Sequence, residues 1–187
     1  MYPIVTEKIN EYLESHRKDL DGIYISGGEP LMHEGVVSFL QYAKTLNYKI
    51  KIHTNGMFYE RLKTILAQKL VDHVSLDIKN APSAYAKTCG VEDMDLKDIE
   101  KSLDLLKKSV VPYDICVTLV DELHNQATIE ELGQWIQGVD TVILQPFEDS
   151  ETTIDHSLHR PSFEVVLKYK KIFEKYVKHV KIRGNQA

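Results

Sequence analysis

Three observations predict an α/β fold with a parallel sheet. Short apolar or alternating runs of strand length alternate with stripes of helical period along the chain. Strands separated by helices imply parallel pairing through right-handed crossovers. No linker or low-complexity segment breaks the alternation, and 187 residues suffice for one domain with a sizeable core. Five main strands at regular spacing suit either an open doubly wound sheet or part of a β/α barrel.

The elements follow in order. Ile4/Val5, Ile9 and Tyr12/Leu13 recur at helical spacing. Gly22-Ile23-Tyr24-Ile25-Ser26 reads as a short buried strand. Val36/Val37, Phe39/Leu40, Ala43 and Leu46 form a helical stripe. Lys49 to His53 alternates as a strand and runs into Thr54-Asn55-Gly56, a turn signal. Leu62, Ile65/Leu66 and Leu70 mark the next helix, and Val74 to Lys79 the next strand. Residues 81–95 read as a longer connection. Leu96, Ile99, Leu103, Leu106 and Val110 keep a helical period, and Tyr113 to Val120 reads as the fourth strand. Thr128 and Glu131 have the spacing of a capping box ahead of Ile129, Leu132, Trp135 and Ile136. Thr141 to Leu144 is the fifth strand, and Pro161 suits the first turn of a long final helix. His179 to Arg183 is a candidate last strand.

Composition narrows the function classes. Hydrophobic residues make up 43% and charged residues 27%, the balance of a soluble globular protein. A net charge of -5 without a dominant basic block gives no footprint for nucleic acid. No apolar run approaches the roughly 18 residues of a membrane span, and no signal peptide is legible, so the cytoplasm is the expected address. Cys89 and Cys116 lack metal-ligand spacing and read as reduced thiols. The histidines are scattered, with no zinc-type pair, and neither a nucleophile elbow nor a phosphate-cradling loop occurs.

In either architecture chemistry collects at the carboxyl ends of the strands, and those ends are polar. They carry Gly27-Gly28-Glu29-Pro30, His53-Thr54-Asn55-Gly56, Asp77-Ile78-Lys79, Val120-Asp121-Glu122 and Gln145-Pro146-Phe147-Glu148. The two glycines allow a sharp turn and close backbone approach to a ligand. A ligand with both amino and carboxylate groups suits this mix: Glu29 or Asp77 for the ammonium, Lys79 for the carboxylate.

Gly27-Gly28-Glu29-Pro30, Thr54-Asn55-Gly56 and Asp77-Ile78-Lys79, each in order at a strand end, resemble the radical S-adenosylmethionine superfamily. The likeness is greatest to its small activating enzymes, those of pyruvate formate-lyase and of anaerobic ribonucleotide reductase. Residues 22–79 carry most of it, and Leu144-Gln145-Pro146-Phe147 agrees more weakly. The resemblance implies a partial (β/α) barrel of six parallel strands and a site for S-adenosylmethionine on Gly27, Gly28, Glu29, Pro30, Thr54, Asn55, Asp77, Ile78 and Lys79. It implies reductive cleavage of that cofactor at a [4Fe-4S] cluster and hydrogen abstraction from a glycine of a large glycyl radical enzyme. A flavodoxin- or ferredoxin-type reductant would be a further partner.

The chain departs from the family in one respect. The cluster needs three cysteines in a C-x3-C-x2-C run ahead of the Gly-Gly-Glu-Pro motif, and no residue before Gly27 is cysteine. No metal ligands are therefore expected in this chain. The expectation is an N-terminally truncated radical S-adenosylmethionine domain over 1–187, lacking the first strand, with Ile23 on an open sheet edge. The alternative is a non-catalytic, degenerate binding module that lost its cluster. His53, where some activases place a cation-holding Asp, points toward a ribonucleotide-reductase-type activase.

Overall fold

In the computed structural model, which describes residues 6–151, 153 and 155–184, helices and strands alternate as the sequence predicts. Helix α1 (Thr6–Ser15) leads into β1 (Gly22–Ile25), a 3-10 turn (Pro30–Met32) and α2 (Val36–Thr45). Then come β2 (Lys49–Thr54), α3 (Tyr59–Ala67), β3 (His73–Asp77), α4 (Pro82–Thr88) and α5 (Lys97–Lys107). The chain continues through β4 (Tyr113–Leu119), α6 (Gln126–Trp135), β5 (Thr141–Pro146), α7 (Phe163–Phe173) and β6 (His179–Ile182). Ile4 and Val5, expected on the first helical stripe, lie outside the described residues.

All six strands pair in parallel, in chain order β1-β2-β3-β4-β5-β6. This order decides between the two architectures. A doubly wound sheet reverses direction once, which places helices on both faces. A sheet that only advances keeps its crossover helices on one face and leaves the other for a lumen. Ile50, Ile52, Val74, Leu76, Ile115, Val117, Val142 and Leu144 accordingly pack in one core with Leu40, Leu62, Ile65, Leu103, Leu132 and Phe173 of the helices. Each such side chain contributes about 1.5–3 kcal/mol over its exposed state. The alternate residues form the opposite, concave face and are mostly polar: Tyr24, Lys51, His53, Ser75, Asp77, Asp114, Cys116 and Gln145, with Ile143 apolar among them.

Strands that only advance in this way twist and curl the sheet toward a partial barrel. Strand β1 forms one edge, pairing only with β2 among the described residues, and its Tyr24 is exposed. The other edge, β6, carries the charged Lys181, which blunts it against further pairing.

Three local expectations are corrected. The connection over 81–95 contains α4, a helix short enough to hide from a periodicity argument; Pro82 opens it. The capping box sits one turn earlier than expected. Asn125 is the N-cap, its side chain accepting from the backbone N–H of Ala127 and Thr128, while Thr128 occupies the N3 position and accepts from the N–H of Asn125. Asn caps as well as Thr does, and the earlier start leaves Glu131 free to accept from Ser83 of α4. Pro161 precedes α7 without entering it, because the Ser162 hydroxyl can accept from the N–H of Val165 and a proline ring cannot cap.

Candidate cofactor-binding site

Glu29 organises the first part of the rim. Gly27 and Gly28 both take positive φ, 91° and 51°, and turn the chain sharply after β1. A Cβ on either would meet nothing within 4 Å, so the glycines serve the turn and leave open space beside it. Glu29, only 7% exposed, caps the 3-10 turn: Oε1 accepts from the N–H of Leu31 at 3.0 Å and from the Thr54 hydroxyl at 2.7 Å. Its Oε2 accepts from the N–H of Asn55 at 2.6 Å. The carboxylate thus ties the end of β1 to the end of β2. Gly56 closes this tie, donating to the Thr54 hydroxyl, and a Cβ there would meet Leu76 Cδ1 at 2.8 Å. Two motifs that stand apart in the sequence form one rigid loop pair here.

Asp77 and Lys79 make the second part. Lys79 Nζ donates to Asp77 Oδ2 at 2.5 Å. Asp77 Oδ1 is buried and has no hydrogen-bond partner among the described residues. Buried acceptors left unpaired are costly and rare, so this oxygen marks where a donor belongs. The backbone between the two side chains is held from below. Ile78 donates its N–H to Cys116 carbonyl, Lys79 N–H donates to the Tyr85 hydroxyl at 3.3 Å, and His124 Nε2 donates to the Lys79 carbonyl at 3.0 Å. His124 Nδ1 lies 3.1 Å from both the N–H and the carbonyl of Val120, and burial lowers the pKa of that ring against those backbone contacts. Asn80, wholly buried, braces the next turn through Leu123 and Ala81.

Below the rim, the concave face carries further ionisable groups. Burial pushes the Cys116 thiol up to about 11, so it remains protonated. Burial likewise lowers the His53 pKa, with Asp77 opposing and Lys79 and Arg183 reinforcing the shift, and the ring is neutral at pH 7. At the floor, Asp114 accepts from Ser75 at 2.5 Å, His73 at 2.7 Å and Lys51 at 3.1 Å. Burial pushes its carboxyl up, but those three donors outweigh it and hold the group down at about 2.

Gly27 to Pro30, Thr54 and Asn55 thus meet through Glu29, and Asp77 and Lys79 pair at the end of the next strand, with the Ile78 side chain turned into the core. Sequence reasoning missed Tyr85, Asn80 and His124, which hold Lys79 in place from α4 and from the turns after β3 and β4. Their only signal was polarity inside otherwise apolar surroundings, which a linear reading cannot see. The cysteines do not assemble: Cys89 is exposed at the end of α4 and Cys116 is buried in β4. No group of three His, Cys, Asp or Glu side chains among the described residues could hold a metal ion. No described helix is long and apolar enough to cross a membrane. A cleft of about 760 Å³ opens between α1 and α2 and reaches the glycine turn, lined by Ile9, Asn10, Gly27, Pro30 and Phe39.

Comparison with known proteins agrees with this geometry. The model of the Radical SAM superfamily matches residues 1–136. A Methanocaldococcus jannaschii protein assigned as a glycyl-radical enzyme activating enzyme is 31% identical over 169 residues, spanning 87% of this chain and 70% of that protein. Among solved structures, a domain of a pyruvate-formate lyase-activating enzyme from Bacteroides vulgatus superposes with a TM-score of 0.68 at 19% identity, covering 88% of this chain and 100% of that one. Streptococcus suis SuiB bound to S-adenosylmethionine superposes with a TM-score of 0.76 at 13% identity, covering 100% of this chain and 45% of that one. At these identities the two structures speak for the fold.

Proposed function

The chain belongs to the Radical SAM superfamily, and from that premise we propose that it is the S-adenosylmethionine-binding part of an enzyme that activates a glycyl radical enzyme. The observation that carries the reading is the unpaired, buried Asp77 Oδ1 beside Lys79 at the end of β3. A methionyl group offers the matching ammonium and carboxylate. Asp77 Oδ1 accepts from the ammonium, and Lys79 moves from Asp77 to the carboxylate, so the internal ion pair is exchanged for two pairs with the ligand. The open space at Gly27 and Gly28 lets the backbone come close to the same moiety. Glu29 contributes by holding that turn against Thr54 and Asn55, since three of its acceptor positions are already taken. Bound and reduced, S-adenosylmethionine supplies the power to take a hydrogen atom from a substrate. A glycyl radical enzyme is the proposed target, with anaerobic ribonucleotide reductase the favoured kind, and an electron-transfer protein of flavodoxin or ferredoxin type the proposed reductant.

The family's [4Fe-4S] cluster does not fit the donors of this chain. It calls for three thiolates, and Cys89 and Cys116 are two and lie apart. No step involving the cluster is assigned to these residues. The second reading is a binding module that keeps the cofactor pocket without redox chemistry.

Calorimetric titration with S-adenosylmethionine tests what the two readings share. Saturable binding is expected, weakened about tenfold or more in Lys79→Ala, the usual cost of losing a charged partner. Absence of binding by the unaltered chain would overturn both. A form extended upstream and reconstituted anaerobically with iron and sulfide separates them: 5′-deoxyadenosine as product under a strong reductant supports the activating enzyme, and binding without a cluster or product supports the module.

A further inference from the structure

We propose that Tyr24 and His53 are positioning residues that hold Asp77 for the ligand ammonium, and that protonation of His53 closes the site. The inference rests on the reading of Asp77 as the ammonium acceptor.

Tyr24, His53 and Asp77 stand on the adjacent strands β1, β2 and β3, with their side chains in line across the concave face. The Tyr24 hydroxyl and His53 Nδ1 are 2.8 Å apart. On the far side of the ring, His53 Nε2 faces Asp77 Oδ2 at 3.9 Å. A carboxylate only accepts, so the favoured proton position is Nε2, which makes Nδ1 the acceptor and Tyr24 the donor. The row then reads Tyr24 O–H to Nδ1, and Nε2–H toward Asp77. At 3.9 Å the second contact is electrostatic rather than a hydrogen bond.

This arrangement explains which oxygen of Asp77 is free. Lys79 Nζ, which donates to Oδ2, and His53 Nε2, 3.9 Å from it, both lie on the Oδ2 side, and Oδ1 is left unpaired. If Lys79 moves to a ligand carboxylate, His53 is the donor that remains to keep Oδ2 in place. Without it the carboxylate could rotate and present either oxygen, and the ammonium would lose a fixed partner.

The same geometry makes the site responsive to protons. The groups facing His53 are Tyr24 on β1, Asp77 and Lys79 at the end of β3, Asp114 on β4, and Arg183 after β6. Burial, Lys79 and Arg183 favour the neutral ring, while Asp77 and Asp114 favour the charged one. The neutral ring is the state that leaves Asp77 its full charge for the ligand. An imidazolium would pair with Asp77 and compete with the incoming ammonium. The Tyr24 O–H also stabilises the neutral ring, because it needs a free lone pair on Nδ1. Removing that hydroxyl should let His53 take up a proton at higher pH.

Two measurements test the proposal. Long-range proton–nitrogen correlation of the histidine rings in the free protein should show His53 protonated at Nε2 and bare at Nδ1, and the Tyr24→Phe protein should titrate His53 at higher pH. Tyr24 is half exposed, so this variant should fold normally. Titration with S-adenosylmethionine from about pH 8 down to about pH 5.5 should show affinity falling about fivefold or more, within the usual range for coupled sites. The fall should begin at higher pH in Tyr24→Phe and be absent in His53→Gln, which should also bind more weakly at the upper end. An Nδ1–H tautomer, or the same acid limb in all three proteins, would overturn the proposal. If the unaltered chain binds no S-adenosylmethionine at the upper end, the functional reading fails, and the ring correlation still decides the Tyr24–His53–Asp77 arrangement on its own.

Discussion

Asp114 and Asp77 lie on the same concave face, one strand apart, and the chain treats them in opposite ways. Asp114, at the floor, receives three donors and is 4% exposed. Asp77, at the rim, has one oxygen paired with Lys79 and one buried oxygen paired with nothing among the described residues. Glu29, also at the rim, follows Asp114: all its contacts are internal, and it acts as a clamp. The fold satisfies two buried carboxylates fully and leaves a third half-satisfied, and the proposed function puts the ligand at the third. The lesson is that polarity alone does not mark a site; incomplete polarity does.

The comparison can be broken at several points. The largest effect is expected at the floor. Asp114→Asn leaves Lys51 and His73 without their anion and should cost about 3 kcal/mol in denaturant unfolding, while the binding of S-adenosylmethionine per folded molecule stays unchanged. A matching loss of affinity would mean that the floor belongs to the site.

Acid unfolding gives a second, slightly smaller effect. The Asp114 pKa falls from 3.8 to about 2 on folding. A depressed carboxyl contributes stability that is complete above its unfolded value and is lost as pH falls through the folded one. Asp114 therefore contributes about 2 kcal/mol that should disappear between about pH 4 and pH 2, and the Asn variant should lack that part of the acid limb.

At the rim the expectation reverses. Asp77→Asn should reduce affinity for S-adenosylmethionine about tenfold or more with the melting temperature nearly unchanged, because a partly unsatisfied carboxylate contributes little to folding. Glu29→Gln sharpens the contrast between the two rim carboxylates. It sets an amide NH2 against donors and should cost about 1–2 kcal/mol of stability, with weaker binding only as a consequence of a looser turn. The smallest effect is Tyr24→Phe, within about 0.5 kcal/mol in thermal unfolding.

Much of this molecule was legible in its sequence, for physical reasons. The strands announced themselves because each has one apolar face packed under helices: Ile50/Ile52 alternate with lysines, and Val142-Ile143-Leu144 is a continuous apolar run. The glycine turn was legible because Gly27 and Gly28 need positive φ. The three rim motifs were legible as a set because parallel strands deliver their ends to one side. Strand order was not legible, since pairing is a long-range choice, and with it the decision between open sheet and barrel was deferred. The helix over Pro82–Thr88 was too short for periodicity to register. The cap at Asn125 was displaced because Asn and Thr compete for the same role three residues apart. That Glu29 also clamps two strand ends was not legible, since its partners, Thr54 and Asn55, arrive from another strand end. His124, Tyr85 and the Tyr24–His53 pair were invisible for the same reason.

The most direct test of the central claim is a titration of the isotope-labelled protein with S-adenosylmethionine, following the backbone amide signals. The account predicts shifts at Gly27, Gly28 and residues 77–80, with the amides of Ser75 and Asp114 at the floor left in place. Shifts centred on the floor, or confined to α1 and α2 with residues 77–80 unmoved, would contradict it.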